Sequence, residues 1–194
     1  MNVLTSAADT AGHDLRRQRG WRIVQAALVL ALVLAVAATV WVWRHPDRSF
    51  DSSYGVGAGR AVGKTMWTPL EDGRTTVPGE IVIESIEPRM ASDGAAVVVE
   101  YAICDLDPAT LAAEGGGGSP YGGRDRDLRR YCTRVVPAEG ASMRLGTDPG
   151  HELLVGVTPT RPGRTVIQSH RIQFREGWQK GSDDIQVEVV LEGH

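Results

Sequence analysis

Hydrophobic residues follow two regimes along this chain. Residues 23–43 form one apolar run without a charge, interrupted only by Gln25 and Thr39. At a rise of about 1.5 Å per residue the run spans roughly 30 Å as a helix, the thickness of a bilayer's hydrocarbon core. Beyond it the pattern shortens to period-two runs divided by Gly, Pro and Asp. Residues 185, 187, 189 and 191 are apolar and alternate with Gln186, Glu188, Val190 and Glu192, as in a strand with one buried face. Val97, Val99, Tyr101 and Ile103 share a face in the same way. In residues 165–174 the apolar face switches between Ile167 and Ile172, which predicts a bulge or bend. Strands are predicted over 60–67, 80–87, 95–106, 131–136, 143–145, 153–158, 165–174 and 184–191. Trp67 reads as core. A short helix is predicted over 108–114, with Asp107 as N-cap, Pro108 at the first helical position and Gly115 as the stop.

Seven to eight short strands with almost no helix point to two packed antiparallel sheets. The fold expected is mainly β: an antiparallel β-sandwich ectodomain preceded by a single transmembrane α-helix. Its parts are a short cytoplasmic tail over 1–20, disordered through residue 15, a transmembrane helix over 21–43, a flexible spacer over 44–58 and an extracytoplasmic sandwich over 59–194.

A cleaved signal sequence is the competing reading of the apolar run. Its hydrophobic stretch is typically about 7–15 residues and ends at small residues. Here the run continues past Ala35-Val36-Ala37 to Trp43. Trp21 stands at one end and Trp41 and Trp43 at the other, where indole rings favour the two headgroup layers. Arg16, Arg17, Arg19 and Arg22 crowd the N-terminal flank, against Arg44 and Arg48 beyond the run. Cationic flanks stay on the cytoplasmic side. The expectation is therefore an uncleaved single-pass anchor in the plasma membrane, with a cytoplasmic N-terminus and the remaining chain outside.

Composition narrows the function classes. Residues 44–194 hold 22 acidic and 17 basic side chains, a net charge of −5. A nucleic-acid partner favours the opposite sign. Both cysteines, Cys104 and Cys132, fall in the exterior part, where an oxidising compartment makes a disulfide the expected state. The alternative is two buried free thiols. Arginine outnumbers lysine 19 to 2 and Asn2 is the sole asparagine, a bias of a high-GC genome.

The strand count and spacing resemble an immunoglobulin-like domain, although the cysteine spacing and the lack of a tryptophan between the cysteines depart from the antibody type. With the anchor, the Cys104–Cys132 pair and the Phe174-Arg175-Glu176-Gly177-Trp178 stretch, the chain resembles actinobacterial single-pass membrane proteins that display such a sandwich outside the cell. That resemblance implies architecture and no activity.

Candidate chemistry is sparse. Residues 58–65 fit a relaxed phosphate-loop pattern, but a spacer precedes it where a strand is needed and Pro69 follows too soon for a helix, so no nucleotide is expected. His151 and His170 lack a second histidine at zinc spacing, and no metal or other cofactor is expected. A turn position fits His151 and a strand surface fits His170. With the loop acids, they define the alternative reading, a cell-envelope hydrolase or metal-dependent enzyme. No serine has a nucleophile-elbow context. The interval between the cysteines carries more information. It contains four consecutive glycines from Gly115 and then Tyr121, Arg124, Arg126, Arg129, Arg130 and Tyr131, with Arg134 just past Cys132. Five arginines against two aspartates in 124–134 give a local charge of +3. This segment, its tyrosines and Trp178 are the candidate interaction residues for an envelope or membrane protein. The function expected is a non-catalytic interaction module.

Overall fold

The apolar run lies inside one continuous helix, α1, from Ser6 to Arg44. The computed structural model describes residues 6–44, 50, 52–72, 78–113, 128–146 and 150–194. The helix begins well before residue 21, so the disordered tail expected over 1–15 is corrected from Ser6 onward. Within α1, Trp21–Arg44 is long and apolar enough to cross a membrane, and none of it is buried by protein. Apolar side chains cover every face of this stretch, as a lipid-facing helix requires. Trp21, Trp41 and Trp43 are all exposed near its ends. The Thr39 hydroxyl donates to the Ala35 carbonyl at 2.9 Å, which satisfies a polar group on an otherwise apolar helix surface. Residues 1–45 form one unit and Pro46–His194 a second.

The second unit is built from nine strands: β1 (Ser53–Arg60), β2 (Met66–Asp72), β3 (Gly79–Asp93), β4 (Val97–Leu106), β5 (Cys132–Pro137), β6 (Ser142–Leu145), β7 (His151–Pro159), β8 (Gly163–Glu176) and β9 (Gln179–Gly193). They form a five-stranded sheet, β1-β9-β8-β3-β6, and a four-stranded sheet, β2-β7-β4-β5. The result is the mainly β, two-sheet sandwich anticipated from periodicity, an arrangement compatible with the immunoglobulin-like resemblance. Two short helices, α2 (Pro108–Ala113) and α3 (Leu128–Tyr131), lie between β4 and β5. Asp107 caps α2 as expected: its carboxylate accepts from the Ala109 amide at 3.1 Å and the Thr110 hydroxyl at 2.8 Å.

Two expectations fail at the start of this unit. Residues 53–58 belong to β1, which pairs in parallel with the last strand, β9, from Ser53 opposite Gln186 to Arg60 opposite Gly193. The spacer reading therefore does not hold there, and one pair in the sandwich is parallel. The strand expected over 60–67 is instead the link between sheets, with a turn at Val62-Gly63 before β2 begins at Met66. Local sequence could not show this, because three glycines in β1 give it almost no hydrophobic signal. Its tertiary partner supplies the order.

The core lies between the sheets. Ile81, Ile83 and Ile86 of β3, Leu153, Val155 and Val157 of β7, and Ile185, Val187, Val189 and Leu191 of β9 are all buried there. Phe50 packs edge-on against Phe174 with ring centroids 5.5 Å apart, and its amide donates to Asp183 Oδ2 at 2.7 Å. The predicted bulge in β8 is present: pairing with β9 shifts between Ile167 and His170. The shift turns Thr165 and Ile167, and then His170, Ile172 and Phe174, into the core.

Candidate functional site

Chemistry-bearing side chains gather at four places in the sandwich, each created by strand pairing. The first is the outer face of the four-stranded sheet. Cys104 of β4 and Cys132 of β5 are joined by a disulfide, with Cα atoms 5.3 Å apart. The bridge links neighbouring strands of one sheet, not the two sheets. It lies in a second apolar cluster with Leu106, Tyr131 and Leu154, against which Trp67 and Leu128 pack. Tyr131 is fully buried and its carbonyl accepts from the Asp107 amide at 2.8 Å. It therefore belongs to a core, which corrects its reading as a contact residue. Trp67 is corrected too: it leaves the main core and lies across Gly156 of β7, where a Cβ would come within 2.8 Å of the indole. Leu128 and Tyr131 of α3 cover this face beside the disulfide.

The basic segment itself is only partly described. Tyr121, Arg124 and Arg126 lie outside the described residues, as does the glycine run. Arg129 and Arg130 are in the backbone of α3. Arg134 is exposed on β5, opposite Asp105.

The second place is where β4, β6 and β7 end together. His151 pairs in register with Asp105, and its Nε2 lies 3.3 Å from the Asp105 carboxylate. The Arg144 amide donates to Nδ1 at 3.2 Å, and Arg144 Nε lies 3.0 Å from Nε2. A neutral imidazole has one N–H, so it cannot accept at both nitrogens. The ring therefore accepts from Arg144 at one nitrogen only, and at Nε2 the donating Arg144 Nε–H and the accepting Asp105 carboxylate compete. This is a cross-strand polar lock with the geometry of a carboxylate-oriented histidine. No serine or cysteine among the described residues is hydrogen-bonded to it.

The third place is inside the sandwich. His170 is completely buried, which corrects the strand-surface reading; the bulge changes the phase of β8 and rotates it inward. Its Nδ1 lies 3.0 Å from the Tyr101 hydroxyl on the opposite sheet. Burial pushes His170 down to about 4, opposed in part by the Val187 backbone. It also pushes the Tyr101 phenol upward, helped by Glu139 and Glu87. Because His151 is opposite Asp105, four residues along β4 from Tyr101, the two histidines are separated by about 13 Å of strand and share no site.

The fourth place was not legible in the sequence. Glu71 and Glu152 are buried near the edge of the four-stranded sheet, close to Tyr54 of β1. The Tyr54 hydroxyl donates to the Pro69 carbonyl, and the Ser52 amide donates to Glu71 Oε2 at 3.3 Å. Burial, together with Glu152 and Glu71 and against Thr68, pushes the Tyr54 phenol up to about 12. With Glu71 opposite Leu153 and Asp72 opposite Glu152, both buried acids act on Tyr54. Among the described residues, no group of three or more His, Cys, Asp or Glu side chains could hold a metal ion.

Trp178 stands apart from all four. Glu176 pairs with Gln179, so Gly177 and Trp178 alone turn the β8–β9 hairpin. Gly177 has φ +59°, which suits the first central position of a tight hairpin turn. Trp178 remains 47% exposed there. Comparison with protein-family models and with curated proteins returns no match.

Proposed function

We propose that this protein is a membrane-anchored, extracytoplasmic β-sandwich that binds an envelope or membrane protein without catalysing a reaction. Trp21–Arg44 supplies the tether, and the arginine excess on its N-terminal flank supports a cytoplasmic position for that end. The Cys104–Cys132 disulfide agrees with an exterior location, since such bonds persist in oxidising compartments.

The observation that carries the binding role is Trp178. A large aromatic ring, half exposed at the tip of a ribbon formed by two long paired strands, offers apolar area on a rigid support. The basic residues 124–134 add a second, cationic contact region of opposite sign to the rest of the unit.

Site-specific photo-crosslinking in intact cells tests the reading. A benzoylphenylalanine at position 178 is expected to give a discrete adduct that the same probe at exposed Gln168 does not give. Changing Arg124, Arg126, Arg129 and Arg130 to Glu is expected to weaken that adduct. Protease added outside the cells is expected to digest the sandwich while sparing a tag at the N-terminus. No adduct at 178, or a sandwich protected in intact cells, counts against the proposal.

A further inference from the structure

The four sheet edges of the sandwich are not alike. β6 is only four residues long. β2 carries Pro69 and a register shift beside it. β5 carries exposed Arg134 and closes on Pro137. These are the ordinary ways by which an edge is kept from pairing with another chain. Of these devices β1 has only a terminal arginine, Arg60. It runs for eight residues, Ser-Tyr-Gly-Val-Gly-Ala-Gly-Arg, with no proline, no lysine and an unbroken register against β9.

Strand alternation fixes which of its groups are open. The His194 amide donates to the Arg60 carbonyl at 3.0 Å, so Arg60 directs its main-chain groups toward β9. Residues 54, 56 and 58 do the same, and the N–H and C=O of Ser53, Gly55, Gly57 and Gly59 point the other way. These four residues are exposed. Among the described residues, the hydrogen bond made there is that of the Gly59 carbonyl, which accepts from Arg60 Nη1 at 3.2 Å. Unpaired main-chain groups in an extended row form a template for one more strand.

The same four residues also define a shelf. Val56 and Ala58 pack on the core, so Ser53, Gly55, Gly57 and Gly59 face outward on the five-stranded sheet. A Cβ at Gly55 would meet nothing within 4 Å. The His194 ring covers Gly59, where a Cβ would come within 3.3 Å of it, so the bare stretch is Gly55 and Gly57. In register on β9 stand Gln186 opposite Ser53, Glu188 opposite Gly55, half-buried Val190 opposite Gly57 and Glu192 opposite Gly59. Glu192 has Arg164 as its neighbour on β8, whereas Glu188 faces the bulge at Gln168 and Ser169. An added strand would lie about 10 Å from β9. A lysine or arginine on its outer face could extend over Gly55 to Glu188 without obstruction, because no side chain of β1 intervenes. An acidic side chain there would meet like charge. A second copy pairing through its own β1 would bring a second Glu188 and Glu192 to the same shelf.

We propose that the β1 edge accepts an extended protein segment with lysine or arginine at alternate positions, which joins the sheet as a sixth strand with its cations over Gly55 and Gly57 toward Glu188. This rests on the interaction reading above and supplies the chemistry of the partner, at a surface separate from Trp178.

The probe is a fluorescent peptide of four Lys-Thr repeats, matching the eight residues of β1, titrated by polarisation against the full chain in non-ionic detergent. A Glu-Thr repeat is the control. Saturable binding of the basic peptide alone is expected, with slowed amide exchange at Gly55 and Gly57. Gly57→Pro removes an outward N–H without touching the β9 ladder and is expected to abolish binding. Glu188→Lys, a surface change, is expected to weaken binding by at least about tenfold. No binding of the basic peptide, equal binding of both peptides, unchanged binding to Gly57→Pro, or self-association through β1 overturns the proposal. Loss of peptide binding with the crosslink at 178 intact would sink this inference alone; loss of the crosslink with peptide binding intact would sink the Trp178 reading.

Discussion

The Tyr101 hydroxyl lies 3.0 Å from His170 Nδ1, joining β4 to β8 across the two sheets. Their rings meet edge to face, with centroids 5.7 Å apart and planes at 86°. A polar pair at this depth is expected only where hydrogen bonding compensates burial. His170 Nε2 is also buried, beside the Val187 backbone, and makes no hydrogen bond of good geometry. The pair is thus satisfied at one ring nitrogen, which makes the histidine sensitive to protonation.

The stability of the sandwich is expected to fall in mild acid because of His170. Its value is 6.5 when unfolded and about 4 when folded, so between these the unfolded chain binds more protons. The contribution of the neutral ring is fully present above pH 6.5, declines as pH falls, and is lost below about 4. The shift corresponds to about 3 kcal/mol. Thermal melts from pH 7 to 4 on wild type and His170→Gln check this, and parallel pH dependence in the two proteins would refute it.

Tyr101→Phe keeps the aromatic packing but leaves Nδ1 buried without a donor. It is expected to cost about 1–3 kcal/mol, as a buried polar group left unmatched does. Replacing the partner as well, in Tyr101→Phe/His170→Leu, is expected to recover part of the loss. Chemical denaturation of the three proteins measures both effects.

Reducing the Cys104–Cys132 bond is expected to act locally first. The cysteines are separated by 28 residues in sequence, for which the chain-entropy model gives about 3–4 kcal/mol. Hydrogen exchange should rise at Leu106, Leu128 and Tyr131 while β8 and β9 stay protected, since the bond lies in the outer cluster. Exchange followed with and without a reductant tests this; uniform loss of protection would place the bond in the main core instead.

Gly156→Ala is expected to displace Trp67. The added methyl would come within 2.8 Å of the indole, closer than contact distance. Overpacking of this kind costs about 1–3 kcal/mol. A shift in tryptophan fluorescence with a lower denaturation midpoint is the expected signature, absent when Trp67→Leu makes room for the methyl.

The elements that were legible in the sequence are those whose signal is local. The alternation of residues 185–191 marks one buried face and is β9. The phase change after Ile167 is a bulge, because a period-two pattern can reverse only where a residue is inserted or the strand bends. The Asp107-Pro108 pair starts α2 through a cap that needs only its own next three residues. The failures are equally physical. β1 has alternate glycines and no hydrophobic run, so its order comes from β9, more than a hundred residues away. His170 appears as an ordinary polar residue until the bulge rotates it inward. Tyr131 and Trp67 are both large and aromatic, and composition alone does not say which of two apolar clusters, or which side of a sheet, receives them.

By itself, then, the sequence determined one apolar helix of membrane-spanning length and a run of short strands. Those follow from the spacing of apolar and turn residues along a few neighbouring positions. The tertiary structure decided the parallel β1–β9 pair with its open glycine edge, the outer cluster around the disulfide, the His151–Asp105–Arg144 lock and the Tyr101–His170 bridge. Each depends on register between strands distant in the chain. Register is set by the packing of the whole core, which no single segment encodes.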